Sequence, residues 1–227
     1  MRMKFAGAFL PGWHGIVPAE PGSGASPPGL LVSILASYRD LRGGMSHFLL
    51  RRPRDAELLL LAMLAALVGF VAGLPQAIQQ AQAVQQGTLD DLGADAPLTA
   101  IMSIRLFSGL FMTPLLLFLL AALGRLCARL AGGQGSFWSA RAAIIWAVLV
   151  ALPLVIVSGL MGAVRIYVPG ALSEALARTG GIITGLGFIW IWANHIAEIE
   201  GFRTVSAVFV CILGIFGCIA GLAIAIN

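Results

Sequence analysis

Few residues in this chain can do chemistry, and the richest set is Asn194, His195 and Glu198 in the run NHIAEIE. On a helix His195 and Glu198 stand at i and i+3 on one face, a spacing that can offer two ligands to a metal ion. Two ligands do not complete a metal site, and the remaining histidines, His14 and His47, belong to other segments. The expectation is a polar helix end at a membrane interface, with no metal and no cofactor. A second candidate is the turn AGGQGS, with Gly132, Gly133 and Gly135. A phosphate-binding loop needs a Lys after its glycines, and a dinucleotide fingerprint needs GxGxxG after a strand. Neither is present, so the run reads as a tight reversal between helices, with lipid-headgroup or anion contact through backbone N–H groups as a lesser reading. The acidic residues Asp90, Asp91 and Asp95 lack the ligand order and closing Glu of a calcium loop and read as a solvated connection. Arg105 borders an apolar run and reads as a boundary marker that snorkels to headgroups.

The elements that must hold these residues follow from composition. With 59% hydrophobic residues, 11% charged residues and a mean hydropathy of +0.95, the 227 residues cannot clothe a water-soluble domain. The fold class expected is an all-α, polytopic transmembrane helical bundle. Five windows reach spanning length: about 58–78, 106–124, 142–164, 181–197 and 205–226. Each must be helical, because lipid offers the backbone no other partner. Pro114 and Pro153 are expected to kink the second and third. Net charge is +4, but the charges sit in short connections between apolar runs, which excludes a nucleic-acid face. Cys127, Cys211 and Cys218 lie in or beside apolar segments and read as small hydrophobes.

Before the first window, residues 1–30 are rich in Gly, Pro, Ser and Ala and read as a disordered leader. In residues 31–55, Ile34, Tyr38, Leu41, Met45 and Phe48 recur at helical spacing. This predicts one amphipathic helix in the headgroup plane, with Arg39, Arg42, Arg51, Arg52 and Arg54 on anionic lipid; packing on the ends of the spans is the competing reading. Residues 56–227 form the five-span domain.

Basic residues divide eleven to three between the two sides, with Arg105, Arg165 and Arg178 the minority. The positive-inside rule then places the N-terminus in the cytoplasm and the C-terminus in the periplasm, in a bacterial inner membrane. Trp138, Trp146, Trp190 and Trp192 fall in the cytoplasmic half, as an aromatic belt would. Gly69 with Gly73, Gly181 with Gly185, and Gly217 with Gly221 each set two glycines on one helix face, for packing within the bundle or self-association.

The segment GGQGSFWSARAAIIWAVLVALP, together with SYRDLRGGMSHFLLRRPRDAELLLLAML and WIWANHIAEIEGF, resembles bacterial members of the Yip family of Ypt/Rab-interacting membrane proteins. The resemblance implies five spans, a cytoplasmic N-terminus and an adaptor role. Midplane positions point the same way, offering only Thr113, Ser158 and Thr184 and no carboxylate, which is poor equipment for transport. No Ser/His pair, paired Asp or metal set lies within the spans, so no enzyme is expected. The reading is a membrane adaptor or scaffold whose partners are the lipid bilayer and a further membrane protein or a second copy; the alternative is a small transporter or channel.

Overall fold

The computed structural model describes residues 29–85, 96–168 and 170–226, and every regular element in them is helical. Two short helices, α1 (Leu30–Ser37) and α2 (Leu41–Leu50), precede α3 (Asp55–Ala72) and α4 (Leu74–Gln85). Next come α5 (Ala96–Phe107), a π-turn (Ser108–Met112) and α6 (Thr113–Leu130), then α7 (Phe137–Tyr167), α8 (Ala171–Glu200) and α9 (Val205–Ile226). Four helical stretches are long and apolar enough to cross a membrane: Asp55–Ala72, Leu98–Leu130, Phe137–Tyr167 and Ala171–Glu200. The part of α9 whose side chains are described, Val205–Gly217, is a shorter apolar helix. The leader and the loop with Asp90, Asp91 and Asp95 lie outside the described residues.

α7 and α8 form the central antiparallel pair; α3 and α6 pack on α7, and α9 packs on α8. Their register is set by Thr184 Oγ1 donating to Leu154 O at 3.1 Å and by His195 Nδ1 lying 3.3 Å from Ala143 O. The first half of α7 is enclosed, with Ala142, Ala143, Ile144, Ile145, Trp146, Ala147, Leu149 and Val150 all buried. Its second half is buried on one side only, where Gly159 and Gly162 face neighbours and Ile156, Val157 and Leu160 are exposed.

Three helix boundaries differ from the sequence expectation. The single amphipathic helix is two helices, because Asp40 caps α2 by accepting from Gly43 N–H at 2.9 Å, a role short acidic side chains favour over the helix interior. The first span ends at Gly73, and Pro75 starts α4, where its missing N–H costs nothing in a first turn. The fourth window, 181–197, is the middle of a 30-residue helix. Around Pro114 the chain widens into the π-turn and stays helical from Leu98 to Leu130, which re-satisfies backbone groups that a proline frees.

Three residues of the stripe on residues 34–48, Ile34, Met45 and Phe48, are buried in the protein core, Leu41 packs against it half-buried, and Tyr38 is 43% exposed. Phe48 stacks on Trp146 at 4.5 Å between centroids, and Tyr38 Oη donates to Val150 O at 2.6 Å. Partial burial raises the Tyr38 pKa above its ordinary value. We expect Tyr38→Phe to lower stability by about 1 kcal/mol, the usual worth of one hydrogen bond, in thermal unfolding of the detergent-solubilised protein. An unchanged midpoint would show that Val150 O has another partner.

A charged layer at one end of a helical bundle

The functional candidates gather where α6 turns into α7 and α8 turns into α9. Both turns begin with the same backbone device. Gly132 (φ +86°) and Gly201 (φ +74°) adopt the left-handed conformation. The following residue closes each helix: Gly133 N–H donates to Ala128 O at 2.8 Å and Phe202 N–H to Ala197 O at 2.9 Å. This is the Schellman termination that a glycine permits. Ser136 then starts α7 in reciprocal bonding with Ser139, at 2.8 and 3.1 Å.

The glycine turn does hold an anion, and the anion is the chain's own Glu200. Gly135 N–H donates to Glu200 Oε2 at 2.7 Å, and Arg125 Nη1 donates to the same oxygen at 3.1 Å. Arg125 also donates to Gly133 O at 3.4 Å. A Cβ on either Gly133 or Gly135 would collide with this carboxylate, so both glycines are needed for its approach. The Glu200 side chain is 1% exposed and that of Arg125 is 11% exposed, which makes this the most buried ion pair among the described residues. Beside it is a cavity of about 10 Å³ bounded by Ala121, Gly124, Ala140 and Trp192, room for about one water.

The other candidates separate. Asn194 Nδ2 donates to Trp190 O in its own helix. His195 is fully buried against α7; its contact with a carbonyl requires the Nδ1–H tautomer, and Nε2 has no partner in the protein. Glu198 turns to α2, accepting from Arg42 Nε at 2.8 Å and Ser46 Oγ at 2.7 Å. Among the described residues no three His, Cys, Asp or Glu side chains gather as metal ligands. Arg42 is therefore not free for lipid: it also donates to Phe202 O at 3.2 Å, capping carbonyls beyond α8. Arg39, Arg51, Arg52 and Arg54 are exposed, and Arg141 pairs with Asp55 at 3.2 Å. A double-mutant cycle on Arg42→Ala and Glu198→Ala should give a coupling of about 1 kcal/mol, since the pair is partly solvated; zero coupling would make the contact incidental.

At the opposite end Arg165 pairs with Glu174, and Arg105 Nη1 donates to Gly73 O at 3.1 Å. Arg105 thus does more than mark a boundary: it caps the carbonyl end of α3, where a cation complements the helix dipole. Gly73 serves that cap. Gly69, Gly181, Gly185 and Gly217 face open space within the chain, so they make no close approach inside the bundle; the surroundings of Gly221 lie outside the described residues. Besides Gly133 and Gly135, close-packing glycines include Gly44 against Ser37, Gly124 against Trp192, Gly159 against the Ala72 backbone, and Gly180 and Gly187 against Met161 and Leu154. On α8 the seam is Ser173, Gly180, Thr184, Gly187 and Ile191, whose near-heptad spacing was available in the sequence. Trp146 and Trp192 are core residues rather than belt residues, while Trp138 Nε1 donates to Pro53 O at 3.2 Å near the surface.

No family model matches the chain, and neither the curated proteins nor the solved structures contain a match to it.

Proposed function

We propose that this chain is a non-enzymatic integral membrane adaptor or scaffold of Yip type, crossing a bacterial inner membrane five times with α9 as the fifth span. The observation that carries this reading is the division of charge at the glycine-turn end. Arg42, Arg125 and Arg141 are spent on internal pairs. Arg39, Arg51, Arg52 and Arg54 stand exposed around them. A braced end with outward cations suits recruitment to anionic lipid headgroups and to a partner held at that surface. The basic asymmetry supports placing this end in the cytoplasm.

Two measurements test the proposal. A reporter fused after Asn227 is expected to be active only outside the cytoplasm; activity inside would remove the five-span topology. Crosslinking in mild detergent followed by mass spectrometry is expected to return one reproducible membrane partner, with no ion or solute flux in proteoliposomes. Flux without a partner would favour transport instead.

A further inference from the structure

α1 carries no charged residue from Leu30 to Ser37, and Leu31, Val32 and Leu35 are exposed on its outer side while Ile34 and Ser37 are buried inward. Its two hydroxyls are satisfied within the helix backbone, Ser33 by Gly29 O and Ser37 by Ser33 O. Nothing on its side chains requires water.

Contacts of Tyr38, which caps α1, and of Phe48 on α2 show how deep the turn that ends α1 lies. The charged pairs of Arg141 with Asp55 and Arg165 with Glu174 mark two levels on α7. They are about 24 residues apart, or about 36 Å at the helical rise, enough to bracket a hydrocarbon core about 30 Å thick. Measured from Arg141 toward the middle, Trp146 lies about 7 Å in and Val150 about 13 Å in. Phe48 stacks on the first, and the Tyr38 hydroxyl binds the carbonyl of the second. Arg42, four residues on, reaches the other way to Glu198 in the charged layer. Tyr38 and Arg42 therefore diverge, the tyrosine inward and the arginine outward, as snorkelling side chains do, and the turn between them, with the exposed Arg39 and Asp40, lies between these two levels. A helix resting in the headgroup plane would meet α7 near Arg141 instead.

We infer that α1 is a wedge in one leaflet: its Leu31, Val32 and Leu35 face is covered by the acyl chains of the leaflet at the glycine-turn end. The inference rests on the membrane-spanning reading above. Charge complementarity supports the occupant, because Arg39, Arg51, Arg52 and Arg54 follow α1 in the chain, are exposed, and can meet the phosphates above the same acyl chains.

The test uses the full chain with Cys127, Cys211 and Cys218 replaced by alanine, reconstituted in vesicles of phosphatidylcholine and phosphatidylglycerol. Nitroxide labels go singly at Leu31→Cys and Leu35→Cys, with Leu50→Cys beside Arg51 as an interfacial reference and Leu160→Cys on the exposed side of α7 as a lipid reference. Collision with oxygen and with a water-soluble nickel chelate is then compared. The wedge gives oxygen contact and loss of nickel contact at positions 31 and 35, matching position 160 and unlike position 50. Nickel contact at 31 and 35 matching position 50 overturns it, and restores the headgroup plane. Loss of both contacts, with spin–spin broadening that disappears on dilution with unlabelled protein, overturns it in favour of a second copy covering the face. Nickel contact at position 160 overturns the spanning reading and the wedge together. Unchanged gel-filtration elution of each variant shows that the fold survives, and the two label sites report independently.

Discussion

Glu200→Ala is expected to lower the stability of the bundle by about 3–5 kcal/mol, the usual cost of leaving one member of a buried ion pair alone. Arg125 would keep its charge with little water to receive it, and Gly135 N–H would lose its acceptor. The turn joining α6 to α7 would keep the backbone bond from Gln134 N–H to Glu200 O at 3.5 Å but lose every side-chain tie to the end of α8 through Glu200. Glu200→Gln should cost less, because the amide oxygen still accepts from Gly135 and Arg125. The double variant Arg125→Met with Glu200→Met should recover most of the loss, because an apolar pair of similar volume leaves no buried charge unpaired. Thermal unfolding in detergent reads all three. A Glu200→Ala midpoint equal to the parent's would mean that water reaches Arg125 freely and that the ion pair does not brace this end.

Gly159→Leu is the second large effect. A side chain there meets the carbonyl and Cβ of Ala72, so α3 would have to leave α7, and the expected loss is about 3 kcal/mol or more, at the upper end of overpacking costs. Gly181→Leu, which points into open space, should change monomer stability by about 0.5 kcal/mol or less. The contrast separates packing inside one chain from association between chains. If Gly181→Leu instead disrupts a crosslinked dimer while leaving the monomer folded, the exposed glycine face binds a second copy. Equal losses from both substitutions would contradict the α3–α7 approach seen here.

Much was legible in the sequence because it depends on neighbours along the chain. Apolar runs such as Ala142–Val164 must be helical wherever they lie in lipid, and the glycine turn ends α6 by local backbone geometry. The break at Asp40 was locally encoded too, but the apolar periodicity of Ile34, Tyr38, Leu41, Met45 and Phe48 runs through it and hides it.

What only the tertiary structure decided is which face of each helix meets protein. Lipid is as apolar as a helix neighbour, so Gly181 and Gly180 look alike in hydropathy although the first faces open space and the second packs on Met161. The same holds for the stripe of α1 and α2, which the sequence assigns equally well to a membrane surface or to Trp146. The anion held in the glycine turn was invisible for a different reason. Glu200 is 65 residues from Gly135, and no local pattern relates them; the pairing exists because α7 and α8 are antiparallel and of nearly equal length, which returns the chain to the level where α7 began.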